Sequence, residues 1–131
     1  MNMFLLGAAL LLAYIGIKHT VVAEWRGERR LVKRICSQVL YEGVDEKDVL
    51  AKRIVRLAWH LTSVMWCGVA GVIVYLASAD VSTTSLVVVR ILAATFLLHS
   101  LLSLLLVRGQ HASWYGFLAV GALLLTGSFT V

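Results

Sequence analysis

Apolar residues are gathered in four long runs, and most charged residues are confined to the stretches between them. A helix that crosses a bilayer needs about 20 mostly apolar residues, because the hydrocarbon core is about 30 Å thick. The pattern therefore predicts four transmembrane helices, over residues 3–20, 46–77, 86–107 and 114–131. In the second of these, residues 57–77 form the part inside the membrane. We expect an all-α integral membrane protein, a four-helix bundle in a single membrane domain over residues 1–131.

The polar stretch after the first helix has a helical pattern of its own. Over residues 28–41, Leu31, Ile35 and Val39 recur at helical spacing, and basic residues lie on the opposite side. This pattern is typical of an amphipathic helix that lies on a membrane surface. Asp45 then predicts the N-cap of the second transmembrane helix, whose first turns should project from the membrane.

Composition supports a membrane protein and argues against an enzyme. The chain is 60% hydrophobic and 15% charged and has no proline, whereas soluble domains are roughly 45–50% apolar and about 25% charged. Four helices and their connections use most of the length, so a separate catalytic domain has no room. Signatures of nucleotide-binding, zinc-protease and serine-hydrolase sites are absent, and the sequence favours a non-enzymatic role.

The distribution of charge predicts the orientation. All of the 12 Lys and Arg residues except Arg90 and Arg108 lie in or beside the connection between the first two helices. Arg108 lies in the third connection, and the second connection has Asp80 and no basic residue. The positive-inside rule therefore puts both termini outside, in the multipass topology of a bacterial inner membrane. This topology and contact with the lipid bilayer account for the net charge of +5, and we expect no nucleic-acid partner.

Histidines are concentrated toward the predicted cytoplasmic side. The four are His19 at the end of the first helix, His60 early in the second span, His99 late in the third, and His111 in the last loop. Ionisable side chains inside a membrane are costly and are candidates for function. His60 shares a helical stripe with Ser63 and Cys67, so we expect that stripe to face the bundle.

These histidines predict a site for a cofactor. Imidazole is a ligand for zinc, copper, nickel and iron. The candidate metal ligands are His19, His60, His99 and His111, with Glu24 and Glu28 as nearby carboxylates. Alternatively, His60 and His99 are the axial pair of a haem in the bundle, with Trp59, Trp66 and Phe96 as apolar walls and Ser63 close to the bound group.

Two other functions use the same residues or surfaces. In a small oligomeric proton-coupled transporter or channel, the histidines would carry protons, and Arg90 would line the path or extend to the headgroups. An accessory subunit would bind a larger membrane complex through small-residue faces. Glycines on the second and fourth helices predict close helix packing in the bundle or in a homo-oligomer.

Overall fold

Four α-helices make up the part of the chain that the computed structural model describes, residues 1–22, 46–80, 82–106, 108 and 113–130. The helices are α1 (Met3–Val22), α2 (Glu46–Ser78), α3 (Thr83–Leu106) and α4 (Ser113–Gly127). By length and apolar composition, α1, α3 and residues Leu57–Ser78 of α2 can each cross a membrane. The prediction of an all-α membrane protein is therefore confirmed. The amphipathic helix predicted over residues 28–41 lies outside the described residues, and the orientation stays a prediction.

The helix α3 begins earlier than residue 86, where the apolar run starts. Ser82 Oγ accepts a hydrogen bond from the Ser85 backbone N–H at 3.0 Å, and Ser85 Oγ accepts one from the Ser82 N–H at 2.8 Å. This reciprocal pair satisfies two of the backbone donors that the first turn leaves unpaired, as a capping box does. Polar residues thus form the first turn, which hydropathy alone does not reveal.

The fourth helix is shorter than the predicted span of residues 114–131. It has 15 residues, which gives a length of about 22 Å, against about 30 Å for the hydrocarbon core. After Gly127 the chain turns, and the Ser128 hydroxyl donates to the carbonyl of Leu125 at 2.8 Å. The helix therefore ends before the predicted boundary, where Gly127, Ser128 and Thr130 interrupt the apolar run.

The helices pack in the spatial order α2, α1, α4 and α3. Within the described residues, α1 contacts α2 and α4, α4 also contacts α3, and α2 makes few contacts with α3 although the two are consecutive. The buried positions recur every three or four residues, as expected for one face of each helix. They include Leu5, Ala8, Leu12, Ser63, Ala70, Ile73, Ala77, Val89, Ala93, Phe96, Ser100, Phe117, Val120 and Leu124.

Glycine allows two of these helix pairs to approach closely. A Cβ atom on Gly121 of α4 would lie 2.8 Å from Leu97 Cγ of α3, and one on Gly16 of α1 would lie 3.2 Å from the Ser63 carbonyl oxygen of α2. By contrast, a Cβ atom on Gly68 or Gly71 of α2 would meet nothing within 4 Å. The prediction of close packing therefore holds for α4, whereas these two glycines of α2 face away from the other described helices.

Asn2 joins three helices at one end of the bundle, which we call the Asn2 end. Its Oδ1 accepts hydrogen bonds from the backbone N–H groups of Phe4 and Leu5 at 3.0 and 3.2 Å, so Asn2 is the N-cap of α1. Its Nδ2 donates to the Gly127 carbonyl, and its backbone N–H donates to the Ala77 carbonyl, both at 2.9 Å. The opposite end, where α1 finishes, is called the His19 end.

Candidate functional site: a histidine–tryptophan cluster

His19 lies in the last turn of α1, one turn beyond the buried Gly16, and is held by two residues of α2. Its Nδ1 is 2.8 Å from Ser63 Oγ. Its ring stacks on that of Trp59, with 4.0 Å between centroids and 7° between planes. Trp59 Nε1 also donates to the His19 carbonyl at 3.1 Å. This hydrogen bond and this stacking contact help to fix the imidazole in position, and Gly16 lets α1 and α2 approach closely enough for both.

Trp66, two turns along α2 from Trp59, connects His19 to the helices on the other side of the bundle. Its ring contacts His19 edge-on, with centroids 4.9 Å apart, and lies 4.9 Å from Phe117 of α4. It also contacts His99 of α3 at 6.2 Å, and His99 lies against Phe117 at 4.1 Å. All four helices therefore contribute to one group, the histidine–tryptophan cluster, which consists of His19, Trp59, Ser63, Trp66, His99 and Phe117.

The contacts of Ser63 bear on which nitrogen of His19 carries the proton. Ser63 Oγ lies 2.8 Å from His19 Nδ1 and 3.4 Å from the carbonyl of Trp59, to which a hydroxyl can only donate. When the hydroxyl proton is directed to that carbonyl, Ser63 accepts from His19 Nδ1–H, and the neutral imidazole has its lone pair on Nε2.

The predicted polar stripe of α2 runs beside the face that the structure buries and shares Ser63 with it. Ser63 is buried, as predicted, but Cys67 is exposed and His60 is half-buried. The buried face instead follows Ser63, Ala70 and Ile73. Cys67 borders the α1–α2 contact all the same, because its Sγ would lie 3.0 Å from a Cβ atom on Gly16, so the prediction holds in part.

The structure brings only some of the predicted site residues together. His19, His99, Ser63 and Trp59 belong to the cluster, and His60 follows Trp59 on α2. Glu24, Glu28 and His111 lie outside the described residues. Within residues 1–22, 46–80, 82–106 and 113–130, no group of three or more His, Cys, Asp or Glu side chains could hold a metal ion. His60 and His99, predicted as a haem pair, lie on α2 and α3, two helices with few mutual contacts.

Arg90 does not belong to the cluster. It is separated from His99 by about 13 Å along α3, at about 1.5 Å of rise per residue. Its guanidinium lies 5.7 Å from the ring centroid of Phe129, which follows α4 at the Asn2 end. Its position is therefore separate from that of the histidines.

Trp66, predicted as an apolar wall of the haem site, forms the middle of the cluster together with Phe117. The sequence did not single out Phe117 or Ser100, and Ser100 fixes the α3 side of the cluster by donating to the Trp114 carbonyl at 2.8 Å. Trp114 Nε1 is buried and makes no hydrogen bond within the described residues. A signal for Trp66 was present, because Trp59, Ser63 and Trp66 repeat at the spacing of one helical face.

The fold and the cluster define a class, a small all-α membrane protein with polar and aromatic side chains gathered at one end of its bundle. Comparison of the chain with protein-family models, with curated proteins and with solved structures finds no match. Function is therefore argued from the residues themselves.

Proposed function

We propose that this chain is a non-enzymatic protein of the bacterial inner membrane that binds a transition-metal ion or haem at the cytoplasmic side. The proposed orientation, with both termini outside, follows from the distribution of charge along the sequence. In this orientation the His19 end faces the cytoplasm. The histidine–tryptophan cluster is the proposed site, and His19 is its primary ligand.

The observation that carries this proposal is the way His19 is held. Imidazoles that ligate metals almost always donate their second ring nitrogen to a hydrogen-bond acceptor, which fixes the tautomer and the orientation of the ring. The Nδ1 contact with Ser63 Oγ at 2.8 Å and the stacking on Trp59 meet this requirement. An imidazole used only for packing does not need both constraints.

The proposed ligand set includes residues beyond His19. His60 and His99 are the proposed further ligands, and Glu24, Glu28 and His111 would complete the coordination of a metal ion. For haem, His60 and His99 are the proposed axial residues. A bound ion would supply Lewis-acid or redox chemistry. This chain would position the imidazole through Ser63 and exclude water with the rings of Trp59 and Trp66.

Cofactor content tests the proposal. The untagged protein is purified in mild detergent, and its absorption spectrum and metal content are measured. We expect a Soret band or a stoichiometric metal in the wild type. A bound metal should be lost in His19→Gln, and either cofactor should be lost in His60→Ala and in His99→Ala. Thr62→Ala is the matched control, since Thr62 bonds only the Ala58 carbonyl of its own helix. A colourless, metal-free wild type, or full occupancy in all three histidine variants, would contradict the proposal.

Proton-coupled transport is the second candidate, and the hydrogen bonds from His19 through Ser63 to the Trp59 carbonyl favour it. A proton carrier needs one titratable group in the bundle, whereas a metal site needs several ligands. Liposomes with an imposed pH gradient and an internal pH dye provide the assay. Under this proposal, His19→Gln stops proton movement and Thr62→Ala does not. Equal rates in both variants would exclude His19 as the proton carrier.

A homo-oligomer or a larger membrane complex is the proposed setting for either function, and the protein would serve as an accessory subunit in such a complex. Gly68 and Gly71 support this proposal, because helical glycines in membranes usually mark a close approach and no described helix of this chain approaches them. Cross-linking in native membranes, with Gly68→Leu as the disrupting variant, tests it. Unchanged cross-linked species in Gly68→Leu would exclude this face as the contact.

A further inference from the structure

A cavity of about 190 Å³ lies at the Asn2 end, between the ends of α2 and α3. Its lining includes Leu5, Leu76, Leu86 and Val89, and Ser85 and Thr130 add polar atoms. The helices α2 and α3 make few contacts with each other, so the space between them is left open. In contrast, Trp66 joins α2 to α3 at the His19 end through its contact with His99.

The polar groups of this cavity are already engaged. The Asn2 amide donates to the Gly127 carbonyl, and the Ser85 hydroxyl donates to the Ser82 carbonyl at 2.8 Å. The cavity therefore favours an apolar occupant. Its volume is below the roughly 300–1,000 Å³ of a typical small-molecule pocket, so it has room for part of a chain and not for a bulky ring system.

Arg90 stands beside this cavity. It follows Val89 of the lining, and its guanidinium lies over the ring of Phe129, which is flanked by the lining residues Ser128 and Thr130. Residues 83–106, which include Arg90, form a candidate membrane span, where an unpaired charge is costly. Asp80 is the only Asp or Glu after residue 48, and it forms no ion pair with Arg90 within the described residues. A counter-ion from outside the chain would satisfy Arg90.

We propose that the Asn2 end binds one anionic phospholipid, with its phosphate on Arg90 and part of an acyl chain in the cavity. Arginine suits this role because its guanidinium presents several donors to a phosphate. The short helix α4 supports this position for the phosphate. Because α4 ends at Gly127, the guanidinium of Arg90 lies against the non-helical residue Phe129 and is not covered by a continuing helix. This proposal is independent of the site at the His19 end.

Lipid-dependent stability tests the proposal. Delipidated protein in detergent is titrated with phosphatidylglycerol, phosphatidylcholine or inorganic phosphate, and the melting temperature is followed. We expect phosphatidylglycerol alone to stabilise the wild type. In Arg90→Gln its affinity should fall at least about tenfold, because a hydrogen bond to a charged group contributes about 1.5–3 kcal/mol. Arg108→Gln is the matched control, because it makes the same substitution in the connection between α3 and α4. This variant should bind phosphatidylglycerol as the wild type does.

Two further variants separate the headgroup from the acyl chain. Arg90→Lys retains the charge and should retain much of the binding, which shows that loss in Arg90→Gln is not misfolding. Ala79→Leu narrows the cavity and should weaken the binding of phosphatidylglycerol while leaving Arg90 in place. Equal stabilisation by phosphatidylcholine, undiminished binding in Arg90→Gln, or full stabilisation by inorganic phosphate alone would overturn the proposal.

Discussion

Replacing Ser63 with alanine should move the proton of His19 from Nδ1 to Nε2. In the wild type, we expect Nδ1–H to donate to Ser63 Oγ, 2.8 Å away, with the hydroxyl proton directed to the Trp59 carbonyl at 3.4 Å. Alanine removes the acceptor without adding volume. A buried donor left without a partner costs about 1–3 kcal/mol, and a neutral imidazole avoids that cost by protonating the other nitrogen.

The size of the change follows from the single hydrogen bond that is lost. A typical intramolecular hydrogen bond contributes about 0.5–1.5 kcal/mol net. At 25 °C this corresponds to a change of about two- to thirteenfold in the ratio of the two tautomers, with RT of about 0.59 kcal/mol. The Nδ1–H form, dominant in the wild type, should therefore become a minor form or equal its alternative in Ser63→Ala. Stacking on Trp59 keeps the ring in place and should change little.

The assay is nitrogen NMR of protein labelled at histidine and free of any added ligand. Long-range proton–nitrogen correlations distinguish the two tautomers, and His19→Gln assigns the His19 signals. Thr62→Ala is the control, because it removes a neighbouring hydroxyl that bonds its own helix at 2.9 Å. Ser63→Thr keeps a hydroxyl and should restore the wild-type tautomer.

A wild-type His19 with its proton on Nε2, or the same tautomer ratio in Ser63→Ala as in Thr62→Ala, would refute the reasoning. The measurement needs no cofactor, so it is independent of the proposed function. If Ser63→Ala changes the tautomer and the purified protein holds neither metal nor haem, the hydrogen-bond argument stands and the cofactor proposal fails.

Two further predictions concern the packing of the helices and are tested by reversible unfolding in detergent. Gly121→Ala should destabilise the protein by about 1–3 kcal/mol, because its Cβ would meet Leu97 at 2.8 Å, whereas Gly68→Ala should be neutral or stabilise by up to about 1 kcal/mol. Equal effects of the two would contradict this packing. Asn2→Ala should cost about 0.5–2 kcal/mol as a lost helix cap, and Asn2→Asp, which keeps Oδ1 and loses the Nδ2 donor to Gly127 and Thr130, should cost less. A larger loss of stability in Asn2→Asp than in Asn2→Ala would show that the helix cap is not the main contribution of Asn2 to stability.

Hydropathy predicts the existence of the helices well and their ends less well. The apolar runs are long, and a bilayer requires helices of that length, so the pattern has one simple interpretation. The ends depend on single hydrogen bonds. Ser82 and Ser85 cap α3 before the apolar run begins, and just after α4 the Ser128 hydroxyl donates to the Leu125 carbonyl of the last turn. Such contacts have no hydropathy signal.

The candidate site was predictable on α1 and less so on α2 and α3. His19 continues a face of small and apolar residues, and its position follows directly from helical spacing. Trp66 was predicted as an apolar wall, but its place at the centre of the cluster was not, because an aromatic residue in an apolar helix suits a lipid-facing position as well as an interior one. The spacing of Trp59, Ser63 and Trp66 fits an interior face, but only the order in which the helices pack decides between the two.

The packing between the two ends of the bundle bears on the choice among the proposed functions. Between the cavity at the Asn2 end and the histidine–tryptophan cluster, Leu12, Ile73, Leu124 and Val120 are fully buried side chains from three helices. A close-packed apolar layer of this kind leaves no room for water, and protons and ions cross such layers poorly. A single chain in this conformation is therefore better suited to binding at one end than to conduction. Transport would require a path between copies of the chain or a separation of α2 from α3, where the helices have the fewest contacts to lose.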